Sequence, residues 1–103
     1  MHRVDIVIPS DHPSAPGHFP GNPIVPGALL LSEIIHAWEM IIATRLEKIT
    51  LKVAKFLSPT LPGDTVSVEF EPMNPTTVKF ICMVKDVLVL SGSLDYAMAQ
   101  PAA

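Results

Sequence analysis

The chain has 103 residues, of which 49% are apolar and only 17% charged, with a net charge of −3. That length allows one small core and so one domain, residues 1–103. The scattered Lys and Arg exclude a nucleic-acid binder, which needs clustered basic side chains.

The apolar excess is read as subunit interface, because an obligate interface resembles a domain core cut in half. It predicts a homodimer or a higher oligomer. In chain order, Arg3-Val-Asp-Ile-Val-Ile8 alternates and predicts a strand. With Arg3, Asp5 and Pro9 so early, no signal peptide is visible. Pro9 to Pro13 break the strand. Residues 17 to 27 then read Gly17-His18-Phe19-Pro20-Gly21-Asn22-Pro23-Ile24-Val25-Pro26-Gly27. Prolines and glycines at this density rule out a regular helix or a central strand. Each proline also restricts the residue before it, so the segment is expected to be an ordered, extended loop. His18 is its titratable group. Two readings stand side by side: a proline-rich connector with a surface histidine, or a stiff loop that aims an imidazole at a fixed point.

Pro26 suits the first turn of a helix, where its missing N–H costs nothing. The helix is predicted over Ala28–Glu47. Leu29, Leu30, Leu31, Ile34, Ile35, Ala37, Trp38, Met40, Ile41 and Ile42 cover nearly its whole circumference, which predicts a helix buried all round. Ser32, Glu33, His36 and Glu39 make it too polar, and its length too short, for a membrane span. Four strands are predicted to follow in antiparallel series: Ile49–Phe56, Thr65–Glu71, Thr76–Lys85 and Val87–Tyr96. Turns are expected at 58–64, at Pro72–Pro75 and at Lys85-Asp86, and a frayed tail over 97–103. The order predicts an α+β fold, a central helix wrapped by an antiparallel sheet. The lone Cys82 excludes an internal disulfide and suits a reducing compartment, and its apolar neighbours make it a core residue, not a nucleophile. His2 and His12 read as surface groups and Asp64 as a turn residue. No metal site is expected, because no Cys or acidic cluster completes one.

The segment Gly17 to Gly27 resembles the signature loop of the hot-dog-fold 3-hydroxyacyl-acyl carrier protein dehydratases, of the 3-hydroxydecanoyl and 3-hydroxymyristoyl types. Lys55-Phe56-Leu57-Ser58-Pro59-Thr60-Leu61-Pro62-Gly63-Asp64 resembles the family's second turn, which also ends in Pro-Gly-Asp. The resemblance covers residues 14 to 95. A start shorter than that of the housekeeping enzymes suggests a compact member, of the kind found in polyketide-like or aryl-polyene lipid pathways. The resemblance implies a hot-dog fold, with an antiparallel sheet wrapped around one long helix and two protomers joined edge to edge. It implies an acyl tunnel between the protomers, lined near His18 and Gly27 by Phe19, Ile24, Leu29 and Leu31 or their neighbours. It also implies a histidine from one protomer and an acid from the other's helix. The partner it implies is acyl carrier protein bearing an acyl thioester, in the cytoplasm, with no cofactor.

Dehydration of a 3-hydroxyacyl thioester needs a base for the α-proton, an acid for the departing hydroxyl, and donors for the thioester oxygen. The resemblance makes His18 the base, and an imidazole titrates in the right range. It makes Gly27 the donor, through an N–H at the positive end of the helix dipole. Phe19, Pro26 and Ala28 complete the expected substrate-binding set. The acid is where the sequence departs: the family places Glu or Asp fourteen residues after the histidine, and this chain has Ser32 there. The family's glutamine four residues on is His36. Four alternatives stand open. Glu33 takes the acid's place through a shift at the helix start; or His36, alone or with a water held by Ser32, supplies the proton; or the site is degenerate and the chain binds acyl groups or pairs with an active homologue; or the scaffold hydrolyses thioesters instead.

Overall fold

A computed structural model describes residues 2–8 and 25–98. Within them lie six elements: β1 (His2–Val7), α1 (Gly27–Ile42), β2 (Leu46–Phe56), β3 (Thr65–Asn74), β4 (Thr77–Val84) and β5 (Val87–Met98). The strands form one antiparallel sheet in the order β1-β3-β4-β5-β2, with α1 packed against it, an α+β arrangement as expected. His12, His18, Phe19 and Ile24 lie outside the described residues, as do residues 99–103 of the expected tail; its first two residues, Ala97 and Met98, instead end β5, paired with Glu47 and Leu46.

Alternation builds the core. Val66, Val68 and Phe70 of β3, Val78, Phe80 and Cys82 of β4, and Leu90, Leu94 and Tyr96 of β5 point to one face. Their registers stack Val68, Cys82 and Leu90 in one row, and Phe70, Phe80 and Gly92 in the next. A Cβ at Gly92 would collide with the Val53 carbonyl oxygen and lie 2.8 Å from the Phe80 ring. Two large rings in this row therefore require a residue with no side chain beside them. The helix lays Leu30, Ile34, Ala37 and Trp38 on this face, and the Trp38 ring sits 5.0 Å from Phe70 and 6.5 Å from Tyr96. Each fully buried large side chain contributes about 1.5–3 kcal/mol. His2 is exposed, as expected, with its ring 5.8 Å from Trp38 in an edge contact.

Four expectations need correction. The helix stops at Ile42, not Glu47: Ala43 adopts a left-handed conformation at φ 54°, and the Glu39 carboxylate accepts the Leu46 N–H at 2.9 Å, so β2 begins three residues before Ile49. The helix is not buried all round, because a single sheet covers a single face; Met40 is 70% exposed. The last four strands are not in simple series, because β2 pairs with β5 at one edge while β3 starts from the other side of the sheet. Pro72 continues a strand instead of opening a turn. It lies beyond the stretch that β1 pairs with and beside a register shift, where a missing donor is tolerated. The turn itself is Pro75-Thr76, closed by Asn74 Oδ1 accepting the Thr76 N–H at 2.9 Å.

Candidate active site at the helix N-terminus

Pro26 occupies the N-cap of α1, and its carbonyl accepts the N–H groups of Leu29 and Leu30 at 3.1 Å each. Gly27 and Ala28 come next, with N–H groups that the helix itself has no carbonyl to pair. No acidic side chain stands in this first turn to neutralise its positive end. Gly27 is also a close-approach position. A Cβ there would lie 2.7 Å from Cζ and 2.8 Å from Cε1 of Phe56, so the ring of the last β2 residue rests directly on the bare Cα.

The second wall comes from the segment after β2. Leu57 and Ser58 donate their N–H groups to the Val89 carbonyl at 2.9 and 3.4 Å, which holds the chain beside β5. Pro62-Gly63 then turns. Gly63 takes φ 93°, the Asp64 N–H returns to the Leu61 carbonyl at 3.1 Å, and Asp64 Oδ2 accepts the Leu61 N–H at 2.7 Å. This is the structural part expected of Asp64. The Val25 N–H donates to the Thr60 carbonyl at 2.8 Å, so the segment entering the helix is tied to this wall.

Between the two walls lies a cleft of about 500 Å³, lined by Val25, Gly27, Leu30, Phe56, Leu57, Ser58, Pro59 and Thr60. Its size suits a small-molecule site and its walls are mainly apolar. The two stretches that carried the sequence resemblance, 17–27 and 55–64, thus contribute facing sides of one cavity through Gly27 and Phe56–Thr60. Leu30, not Leu29 or Leu31, is the helix residue in the wall; the latter two are half-buried against the core. Pro26 and Ala28 flank Gly27 without lining the cleft.

The remaining candidates sit elsewhere on the helix. Ser32 and His36 are exposed, on the stripe that also carries Ala28 and Met40, opposite the buried face. His36 Nδ1 lies 3.9 Å from Glu39 Oε1, an exposed contact that is ionic only when the imidazole is protonated and worth well under about 1 kcal/mol. Glu33 is half-buried and makes no ion pair among the described residues. Within one chain, then, the structure brings Gly27 and Phe56–Thr60 together and leaves Ser32, Glu33 and His36 outside their cleft. Cys82 is fully buried, and burial pushes its thiol up to about 12, which fits the expected inert core residue. Among the described residues no group of three or more His, Cys, Asp or Glu could hold a metal ion, and no helix is long and apolar enough to cross a membrane.

Phe56, Leu57 and Thr60 carry no chemical signature that marks them as site residues. The signal available was their place in the second motif.

The sequence model of the ApeI-like family, described as ApeI dehydratase, matches residues 1–93. A 3-hydroxyacyl-[acyl-carrier-protein] dehydratase FabZ of Symbiobacterium thermophilum is 31% identical, over 89% of this chain and 72% of its own length. The chain spans only 51–64% of the length of three other curated dehydratases of that name, from two Ehrlichia species and Levilactobacillus brevis, which it matches at 30–34% identity. Among solved structures, the dehydratase heterocomplex ApeI:P from Xenorhabdus doucetiae superposes with a TM-score of 0.80 at 18% identity, covering 92% of this chain and 85% of the other. The fluoroacetyl-CoA-specific thioesterase FlK superposes with a TM-score of 0.72 at 17% identity, over 96% and 89%. Both share the hot-dog fold with this chain.

Proposed function

The chain belongs to the ApeI-like dehydratase family, and we propose on that basis that it catalyses the reversible dehydration of 3-hydroxyacyl thioesters on acyl carrier protein to trans-2-enoyl thioesters, in fatty-acid or polyketide-like lipid synthesis in the cytoplasm. The observation that carries the reading is the apolar cleft that opens at Gly27, the first residue of α1, where the helix itself has no carbonyl to pair the N–H groups. A thioester carbonyl seated there has its oxygen at the positive end of the helix, where negative charge developing on it is stabilised. In this reading His18 takes the C2 proton, electrons shift to form the C2–C3 double bond, and the C3 hydroxyl leaves as water with a proton from the acid. The apolar walls take the acyl chain.

The acid comes from a second protomer. Ser32, Glu33 and His36 lie outside the cleft of their own chain, on or beside a helix stripe that the sheet does not cover. The edge strand β2 is also uncovered, with Ile49, Leu51 and Val53 each well exposed. A dimer joined along β2 covers both surfaces and carries one chain's helix stripe to the other's cleft. Glu33 and His36, the latter with a water held by Ser32, are the groups able to serve.

Hydration of crotonyl and longer enoyl thioesters tests the reading. Activity that disappears in His18→Ala supports it; a parent with no activity and no response to His18→Ala refutes it. In the same assay Glu33→Gln is expected to cost on the order of 100-fold if Glu33 is the acid, and His36→Ala tests the other route. Ser32→Glu restores the family residue and is expected to raise activity or leave it intact; melting temperature is measured beside activity, because the proposed dimer covers this stripe and an unpaired buried carboxylate destabilises the fold.

A second reading rests on Ser32 itself: a subunit without its own acid that pairs with an acid-bearing homologue, an arrangement in keeping with the heterocomplex named for its structural neighbour. Inactivity alone, together with activity on mixing or co-purification with such a homologue, favours it over the homodimer. Release of free thiol from acyl thioesters, in place of hydration, would instead identify a thioesterase.

A further inference from the structure

Phe56 is the largest side chain in the wall of the cleft, and its ring is the group that touches Gly27. A Cβ on Gly27 would lie 2.7, 2.8 and 3.4 Å from Cζ, Cε1 and Cε2, so the tip of the ring closes on the first residue of α1. The backbone beneath the ring is fixed. Phe56 pairs with Leu90 at the end of the β2–β5 ladder, and the next two N–H groups, of Leu57 and Ser58, both go to the Val89 carbonyl. The side chain itself is half exposed, so it owes only part of its surface to packing. Val25 and Leu30, in contrast, are buried members of the core and form a floor that cannot shift without disturbing it. Phe56 is thus the wall residue whose size sets the room at Gly27 independently of the core.

We propose that Phe56 is the specificity-determining residue of this cleft: the tip of its ring restricts the carbon next to the thioester carbonyl, C2, to an unbranched acyl group. The assignment rests on the acyl-thioester reading of the site, with the carbonyl oxygen at the Gly27 N–H. C2 is one bond from that carbonyl carbon, so it stays close to Gly27 whatever the length of the chain beyond it. The ring faces the acyl arm of the substrate, because the amides of the pantetheine arm need polar partners that a phenyl group cannot supply. A methyl branch on C2 therefore meets a ring that already stands in contact with the helix. The buried floor does not give way, and the ring does so only by leaving its rotamer.

The test uses the full chain and two isomeric, non-reacting probes, butanoyl-pantetheine and 2-methylpropanoyl-pantetheine, which differ only in the branch at C2. The variants are Phe56→Ala and Phe56→Leu; leucine keeps the side chain as far as Cδ and removes Cε1, Cε2 and Cζ. Affinity for each probe, kcat/KM for hydration of but-2-enoyl- and 2-methylbut-2-enoyl-pantetheine, and melting temperature are read together. The parent is expected to bind the linear probe at least about tenfold more tightly than the branched one, the scale on which an apolar site resolves one methyl group. Both variants are expected to lose most of that preference, and the ratio of the two hydration rates to fall with it. A parent that binds the two probes equally overturns the assignment. So does a preference that the folded variants retain, since another wall then makes it. A parent that binds neither probe overturns it as well. Phe56→Leu decides the question if Phe56→Ala does not fold, and failure of both to fold overturns the assignment by showing that the ring belongs to the core. The two readings fail separately. A parent with a Phe56-dependent preference that hydrates neither enoyl thioester loses the dehydratase reading and keeps this one. A parent that hydrates the unbranched thioester, with a preference indifferent to Phe56, does the reverse.

Discussion

Replacing Gly27 with alanine adds one methyl group at the point where the cleft, the helix N-terminus and Phe56 meet. The new Cβ would stand 2.7–2.8 Å from two ring atoms and 3.4 Å from a third. Ordinary carbon contacts lie at about 3.5–4.0 Å, so the tip of the ring must retreat by about 1 Å. Phe56 is 52% exposed and ends an edge strand, so it swings outward at a rotamer cost of about 0.5–1.5 kcal/mol. Alanine returns about 0.5–1 kcal/mol of helix stability over glycine. The two nearly cancel, and the melting temperature is expected to move by no more than about 4–8 °C. The cleft does not share in that cancellation. Its mouth gains a methyl group and its wall moves by about 1 Å, a displacement that costs catalysis up to about 100-fold. Thermal melting and kcat/KM for enoyl-thioester hydration, measured on one preparation, should therefore separate: a near-parental melting point with activity reduced at least about tenfold. A folded Gly27→Ala variant with parental kcat/KM would refute the placement of the thioester at Gly27. A melting point lowered by more than about 10 °C would show that the Phe56 ring has nowhere to go.

At Gly92 the same substitution should act on stability alone, because the added Cβ meets the Val53 backbone as well as the Phe80 ring; urea unfolding is expected to show a loss of about 3 kcal/mol. Cys82 should resist alkylation at pH 8 in the native protein and react only on unfolding. Because burial raises its pKa from 9.0 to about 12, the folded chain holds a proton that the unfolded chain has lost. Its contribution is intact below about pH 9 and falls by about 1.4 kcal/mol per pH unit toward pH 12, so Cys82→Ala should flatten the alkaline limb of the stability profile. Sedimentation at micromolar concentration is expected to show a dimer, and Leu51→Lys, on the exposed edge of β2, to shift it toward monomer; a parent that sediments as a stable monomer would refute the proposed two-chain site.

Local chemistry was the most legible part of the sequence. The Lys85-Asp86 turn appears where expected, with both residues at positive φ (50° and 66°), as a two-residue antiparallel connection demands. Pro62-Gly63-Asp64 likewise announces its turn. The helix end was not legible: Ala43 takes the left-handed position that glycine usually fills, and the stop depends on Glu39 reaching the Leu46 N–H across seven residues. The helix is apolar around most of its circumference, but that pattern does not say whether sheet or neighbour covers each side. Strand order was hidden for a related reason. Alternation marks the inward face of β3 but not of β2, whose alternating Ile49, Leu51 and Val53 are all exposed; β2 pairs with β5, and Gly92 leaves the room that the Val53 carbonyl takes up there. In the site, the resemblance pointed to Gly27, but the contact of the Phe56 ring with it exists only once the chain is folded.

The backbone bonds of the Thr60–Asp64 segment carry one further consequence. Ile8 donates its N–H to the Asp64 carbonyl at 2.9 Å and accepts the Gly63 N–H at 2.7 Å, while Val25 donates to Thr60 at 2.8 Å. The residues on either side of 9–24 are thus both anchored to one five-residue stretch. The Thr60–Asp64 stretch is therefore a shared clamp: Gly63→Pro, which removes the N–H that Ile8 accepts, is expected to loosen the end of β1 and, through Thr60, the entrance to α1 together.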